Sequence, residues 1–533
     1  MSLDGFLTFV GLMIATYAIL TPVSRLRLRL NLFRQLVLAT ASISLIGFFE
    51  FYFELKSVAP PQLDWLFDFV PLESQTSGLT HQEAAFLVIV TWILLAWVLY
   101  ISARPQAISL KTLKNLVETL HDEDRFLETA ELVEPYFPII KKAVKKQLLG
   151  QGLHNWIIEV HRSATSPFPM PQDYSRQLIP NSIARRILPV ASIIPSRKGA
   201  YQNASDIVQM LQKSDGMQNL LLRLRPGFAI KLMGDFGWED RDFRTKYFRG
   251  LINDKFSHFY KEIRHNQTCD NRFGYYIDPK NIILSGLFSD TTVASKYGIY
   301  KPIGDEIISL IQTNTSYRKT LNSACPNEED DLWLDPTYCA IRFFDIMVTS
   351  AAKQETEDHM WLMYMSVFVR ELSKSYDPVD DRTDIAAEFP TLGTRLIYEA
   401  IYCLRQWTVM AIELPDCNPH ASEAALEGGN GISIPYWAAM DASRAMRYVA
   451  DIQKLPARFK SDMLEGIVRD LVRLPREGYR SCLRRQLILE LVRGGSTYPA
   501  DDRRTEIRRL LSGIDQVLTF DAEDLMAALN APD

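Results

Sequence analysis

Residues 84–102, AAFLVIVTWILLAWVLYIS, run for nineteen positions without a charge and end just before Arg104 and Pro105. As one helix the run measures about 28 Å, close to the hydrocarbon thickness of a bilayer. So apolar a stretch needs cover on every side, and the sequence predicts that lipid supplies it.

Two further candidate spans precede this one. Residues 6–23 are eighteen uncharged positions with Asp4 where the basic start of a signal peptide would stand. They are read as a retained anchor. The second candidate is 36–53. Between these two, Arg25, Arg27, Arg29 and Arg34 occur without an acid, whereas 56–83 has Lys56 as its only Lys or Arg. The preference of basic loops for the cytoplasm then puts the N-terminus outside and the arginine loop inside. On that topology 84–102 crosses inward, to the side where Arg104, Lys111 and Lys114 lie.

The expected architecture is a membrane-anchored, mainly α chain. Three transmembrane helices in 1–104 (spans 6–23, 36–53 and 84–102) lead into a cytoplasmic region. A helical juxtamembrane part, 105–162, comes first, followed by a Pro-rich connection, 163–200, marked by Pro167, Pro169, Pro171, Pro180, Pro189 and Pro195. A mixed α/β middle part, 201–335, follows because 228–233, 274–277 and 281–284 look strand-like. An all-α bundle, 336–533, closes the chain, its helices separated by proline and glycine breaks.

Lys+Arg total 59 against Asp+Glu 64, a net charge of -5 that excludes no class of partner. The six cysteines form no C-x-x-C pair, which suits a reducing compartment and gives no zinc site. No metal and no cofactor is expected.

Candidate functional residues fall in two places. Glu50 and Glu54 lie one helical turn apart within the second span, where a carboxylate either lines a polar path or reaches outer headgroups through the aromatic run at 48–53. Small residues, Gly11, Ala15 and Ala18 against Ala39, Ile43 and Gly47, offer close helix packing or an oligomer contact. Near the C-terminus, 441–510 holds sixteen Lys or Arg against ten Asp or Glu. Arg473, Arg476, Arg480 and Arg484 recur at helical steps, with Arg485 beside them. They form a basic stripe that would bind phosphate of lipid or nucleic acid, or simply face solvent.

Other motifs are weaker. Ala229-Ile230-Lys231 and Asp235-Phe236-Gly237 echo a protein kinase, but only three residues part them and no H-R-D occurs. His258, Glu262, His265 and Cys269 share a helical spacing that more often marks a surface face than a metal site. His359 reads as a core imidazole, and the glycines at 428–431 as a turn.

In layout, a few tight spans followed by a large cytoplasmic body without catalytic motifs, the chain resembles membrane effectors of bacterial antiviral systems, including those encoded with retrons. The resemblance carries over no residue. It implies an inner-membrane protein held inactive by cytoplasmic partners, for retrons a reverse transcriptase with its RNA-linked DNA. Release on infection would then damage the membrane and abort the infection. The alternatives are a membrane-tethered enzyme, with Asp235, Glu239, His258, Glu262 and His265 near its site, or a passive scaffold.

Overall fold

The computed structural model describes residues 32–58, 60, 80–101, 110–145, 198–233, 241–268, 274–326, 328–357, 361–378, 384, 386–426, 433–492 and 500–531. The first expected span, 6–23, and the Pro-rich connection up to residue 197 lie outside them. The chain divides into two compact units, Met1–Met217 and Gln218–Asp533.

In the first unit, α1 (Leu32–Glu50) packs along α3 (His81–Ile101), with the short α2 (Tyr52–Val58) after α1. The amide of Gln35 near the start of α1 donates to the carbonyl of Ala96 near the end of α3 at 3.1 Å, so the two helices run antiparallel. Ser42 on α1 and Ala85, Ile89 and Trp92 on α3 are buried. The spacing of 85, 89 and 92 marks a single helix face. Ile43 and Gly47, expected at a close-packed face, are not there: Ile43 is exposed, and a Cβ on Gly47 would meet nothing.

The expected three transmembrane helices are corrected here. No single described helix is long and apolar enough to cross a membrane. The second candidate breaks in two, Gln35–Glu50 and Tyr52–Val58, with a bend of 75°. The break falls where the Tyr52 ring turns inward against Phe48, 5.7 Å between centroids, and where the sequence turns polar at Glu54, Lys56 and Ser57. The third candidate qualifies only as a shorter apolar helix, Glu83–Val98.

The same unit contains α4 (Leu110–Asp122), α5 (Phe126–Val133), α6 (Phe137–Val144) and α7 (Lys198–Lys213). Leu110, Leu113, Val117 and Leu120 bury one stripe of α4, and Ala204, Ile207, Val208 and Leu211 one stripe of α7. The two stripes pack together, with Lys114 on Asp206 at 2.7 Å beside the seam.

The expected mixed α/β middle part is also corrected, since the described residues form no strand. Helix α8 (Asp215–Arg223) is followed by α9 (Pro226–Met233), α10 (Arg241–Asn253), α11 (His258–His265), α12 (Ile282–Phe288), α13 (Thr291–Tyr297), α14 (Tyr300–Thr313) and α15 (Thr315–Leu321). Two of the three strand-like runs are therefore helices, and 274–277 is irregular backbone with a single isolated bridge at Tyr275, next to which the Tyr276 amide donates to the Thr268 carbonyl at 3.0 Å. Burial of Phe228, Ala229, Leu232 and Met233 follows a helical period, and Pro226 suits a first helical position. At α12 the cap comes from far away: the Glu262 carboxylate accepts from the Ile283 and Leu284 amides at 2.8 and 2.9 Å.

The expected all-α region is helical: α16 (Pro336–Lys353), α17 (Met363–Ser375), α18 (Leu392–Val409), α19 (Ile434–Asp451), α20 (Ala457–Arg473), α21 (Ser481–Val492), α22 (Ala500–Leu511), α23 (Gln516–Asp521) and α24 (Glu523–Asn530). Helix α19 lies centrally, packed on α17, α18 and α21. Its buried Ala438, Ala439, Ala442 and Ala445 let those neighbours approach closely. Three N-caps fix the long helices: Asp335 for α16, Thr391 with Thr394 in a reciprocal capping box for α18, and Ser433 for α19.

Asp335 is a buried cap, accepting from the Tyr338 amide and the Tyr317 hydroxyl, both at 2.8 Å. Burial pushes its carboxyl up to about 6. From about pH 4 to pH 6 the folded chain keeps a proton that the unfolded chain releases, so stability falls as pH rises, by about 3 kcal/mol for this group, and levels off above pH 6. Asp335→Asn keeps an acceptor for the Tyr338 amide and should flatten that part of the slope. What remains should come from Asp345, Glu262 and Asp441, which burial also raises. Identical slopes in denaturation midpoints of variant and wild type between pH 4 and 6 would refute this.

Candidate functional site

Glu50 ends α1 and Glu54 lies in the first turn of α2, one on each side of the bend, and both are exposed. Around them the helix pair shows solvent large apolar side chains on faces other than its seam: Leu36, Ile43 and Leu45 on α1, Phe86, Leu94 and Trp97 on α3. Water-facing helices ordinarily carry charge on such faces.

The arginine stripe is largely engaged within its own unit. Arg484 is buried: its Nε and Nη2 reach Asp524 at 2.5 and 2.6 Å, and Nη1 donates to the Leu471 carbonyl at 2.5 Å. Arg476 reaches Glu523 at 2.9 Å and the Asp521 carbonyl at 2.8 Å. Arg480 reaches Asp416 at 2.5 Å and the Leu414 carbonyl at 3.0 Å. Arg473 lies 3.6 Å from Asp470, and Arg485 is exposed. Arg476 and Arg484, together with Arg508, which donates to the Leu529 carbonyl, clasp α24 at both ends.

The histidine-acid spacing on α11 does not assemble a site. Glu262 faces inward as the α12 cap while His265 is exposed, and no group of three His, Cys, Asp or Glu able to hold a metal occurs among the described residues. Ala229-Ile230-Lys231 lies in helix α9. Asp235, Glu239, Cys269, His359 and the glycines at 428–431 lie outside the described residues.

What the sequence reading missed is a polar seam between α16 and α18. On α16, Tyr338, Arg342, Asp345 and Thr349 share a face, as do Arg395, Glu399 and Cys403 on α18. The buried Glu399 carboxylate holds two guanidiniums, Arg342 and Arg395, each through one Nη at 2.6 Å. Arg342 also lies over the Tyr338 ring, and Arg395 over Phe389 at 4.6 Å and Tyr398 at 5.6 Å. Deeper in, Asp345 accepts from the Tyr275 hydroxyl at 2.5 Å and the Trp407 indole at 2.7 Å. Gly274, next to Tyr275, has φ 78°, a left-handed conformation that lets the loop turn against Thr349.

This seam is built to hold rather than to react. Burial raises the Cys403 thiol well above its ordinary value, so no thiolate nucleophile stands there at neutral pH. The guanidiniums are incompletely used: the buried Nε of Arg342 and that of Arg395 find no acceptor among the described residues. The signal was present in the sequence as Arg342, Asp345 and Glu399, charges set inside otherwise apolar helical runs. No family model matches the chain, and neither a curated protein nor a solved structure matches it.

Proposed function

We propose that the protein is a membrane-seated effector whose α1–α3 pair lies in lipid and whose helical body governs when that pair acts. The supporting observation is the surface of the pair, where large apolar side chains stand exposed around a seam that already buries Ser42, Ala85, Ile89 and Trp92. Hydrocarbon is the solvent for which such a surface costs nothing. The proposal asks only that the pair sit within the bilayer. Its layout resembles antiviral membrane effectors such as those of retrons. On that likeness we place it at the bacterial inner membrane, held by a cytoplasmic partner such as a reverse transcriptase with its RNA-linked DNA. Released subunits, assembled with one another, impair the membrane and abort the infection.

Inducing the full chain while recording membrane potential with a dye tests this. Depolarisation should precede loss of viability, and Glu50→Gln should slow it several-fold because a carboxylate at the bend keeps water and cations in the disturbed region. Glu54→Gln, beyond the bend, should do less. Toxicity without depolarisation, retained by a 105–533 fragment, would instead identify an enzyme in the body.

A further inference from the structure

We propose that the seam between α16 and α18 binds a nucleoside phosphate, free or at the end of a strand, with the phosphate on Arg342 and Arg395 and the base on the exposed Tyr402. Two guanidiniums face a single carboxylate, Glu399, so the outer seam carries one surplus positive charge. The remaining acid, Asp345, is committed to Tyr275 and Trp407. Arg342 and Arg395 each give one Nη to Glu399. By contrast, Arg484 in the C-terminal clasp uses Nε and both Nη groups on oxygens of its own unit. With the Nε of Arg342 and that of Arg395 left without an acceptor among the described residues, these two guanidiniums have donors to spare, and a guanidinium can hold two oxygens of a phosphate through parallel N–H bonds.

The aromatic half of the site is adjacent. Tyr398 and Tyr402 stack with ring centroids 6.1 Å apart and planes 16° from parallel, and Tyr402 is 38% exposed. Arg395 and Tyr402 stand two turns apart on one face of α18, with Tyr398 between them. Stacking on a tyrosine is indifferent to base identity, so the site should discriminate on phosphate rather than on sequence. This inference does not depend on the membrane reading.

The test measures binding to the full-length chain of AMP, adenosine, inorganic phosphate, and an oligothymidylate with and without a 5′-phosphate. AMP should bind saturably and at least about tenfold more tightly than adenosine or inorganic phosphate, since it engages both halves. A 5′-phosphorylated strand that outcompetes AMP assigns the site to strand ends; the reverse assigns it to free nucleotide. Tyr402→Ala, a change at an exposed side chain, should weaken binding about tenfold, and Arg395→Gln at least as much. Thermal midpoints establish that both variants are folded, and if Arg395→Gln is not, Tyr402→Ala decides alone. Absence of saturable binding by every phosphate-bearing probe, or affinity untouched in the folded variants, overturns the proposal.

Discussion

Arg484→Ala should destabilise the Gln218–Asp533 unit by about 3 kcal/mol, whereas Arg485→Ala, one residue on, should stay within about 0.5 kcal/mol. The two side chains differ in what they touch. Arg484 is 3% exposed and joins Asp524, the Leu471 carbonyl and, at 3.3 Å, the Asp521 carbonyl. Its removal leaves a void and takes from the Leu471 carbonyl its charged donor, leaving it only the Leu474 amide at 3.2 Å. Asp524 is 41% exposed and regains water, which keeps the loss at the low end of the range for broken buried pairs. Asp524→Asn combined with Arg484→Ala should cost less than the sum of the two, because both remove one interaction. Chemical denaturation followed by tryptophan fluorescence gives these differences, and equal losses for Arg484→Ala and Arg485→Ala would dismiss the clasp.

The clasp shows how much of the molecule the sequence could convey. The periodicity of Arg473, Arg476, Arg480 and Arg484 is visible in one line of residues, and it marks a helical face correctly. Their acceptors are not visible: Asp416 lies before α19 and α20, and Asp521, Glu523 and Asp524 lie in α23 and α24, beyond α22. A stripe of arginines reads the same whether its anions are its own carboxylates or a partner's phosphates.

The misread middle region has a different cause. In 226–233 the apolar residues Phe228, Ile230 and Leu232 alternate as in a strand, yet Ala229 and Met233 are as buried as Phe228 and Leu232. Eight residues are too few for period two and period 3.6 to separate. For α12, the Glu262 carboxylate that caps its first turn lies twenty-one residues before the Ile283 amide it accepts. Tertiary capping of that kind overrides any local propensity. Helices of the C-terminal region, longer and punctuated by proline, were legible because their period repeats several times.

Ile43→Lys together with Leu94→Lys should move the full chain out of the carbonate-resistant membrane fraction. Ile43 is 47% exposed and Leu94 56%, so in water each lysine would change stability by no more than about 0.5 kcal/mol. In hydrocarbon each replacement costs about 3 kcal/mol near the middle of a helix, and the pair shifts the partition by roughly four orders of magnitude. Both positions lie well inside their helices, which limits the relief available from snorkelling of the ammonium to the interface. Val58→Lys, at the exposed end of α2, should leave the distribution unchanged. A double variant that still resists carbonate extraction would mean that protein, a partner or a second copy, covers the apolar faces of α1 and α3, and that the proposed seat in lipid is wrong.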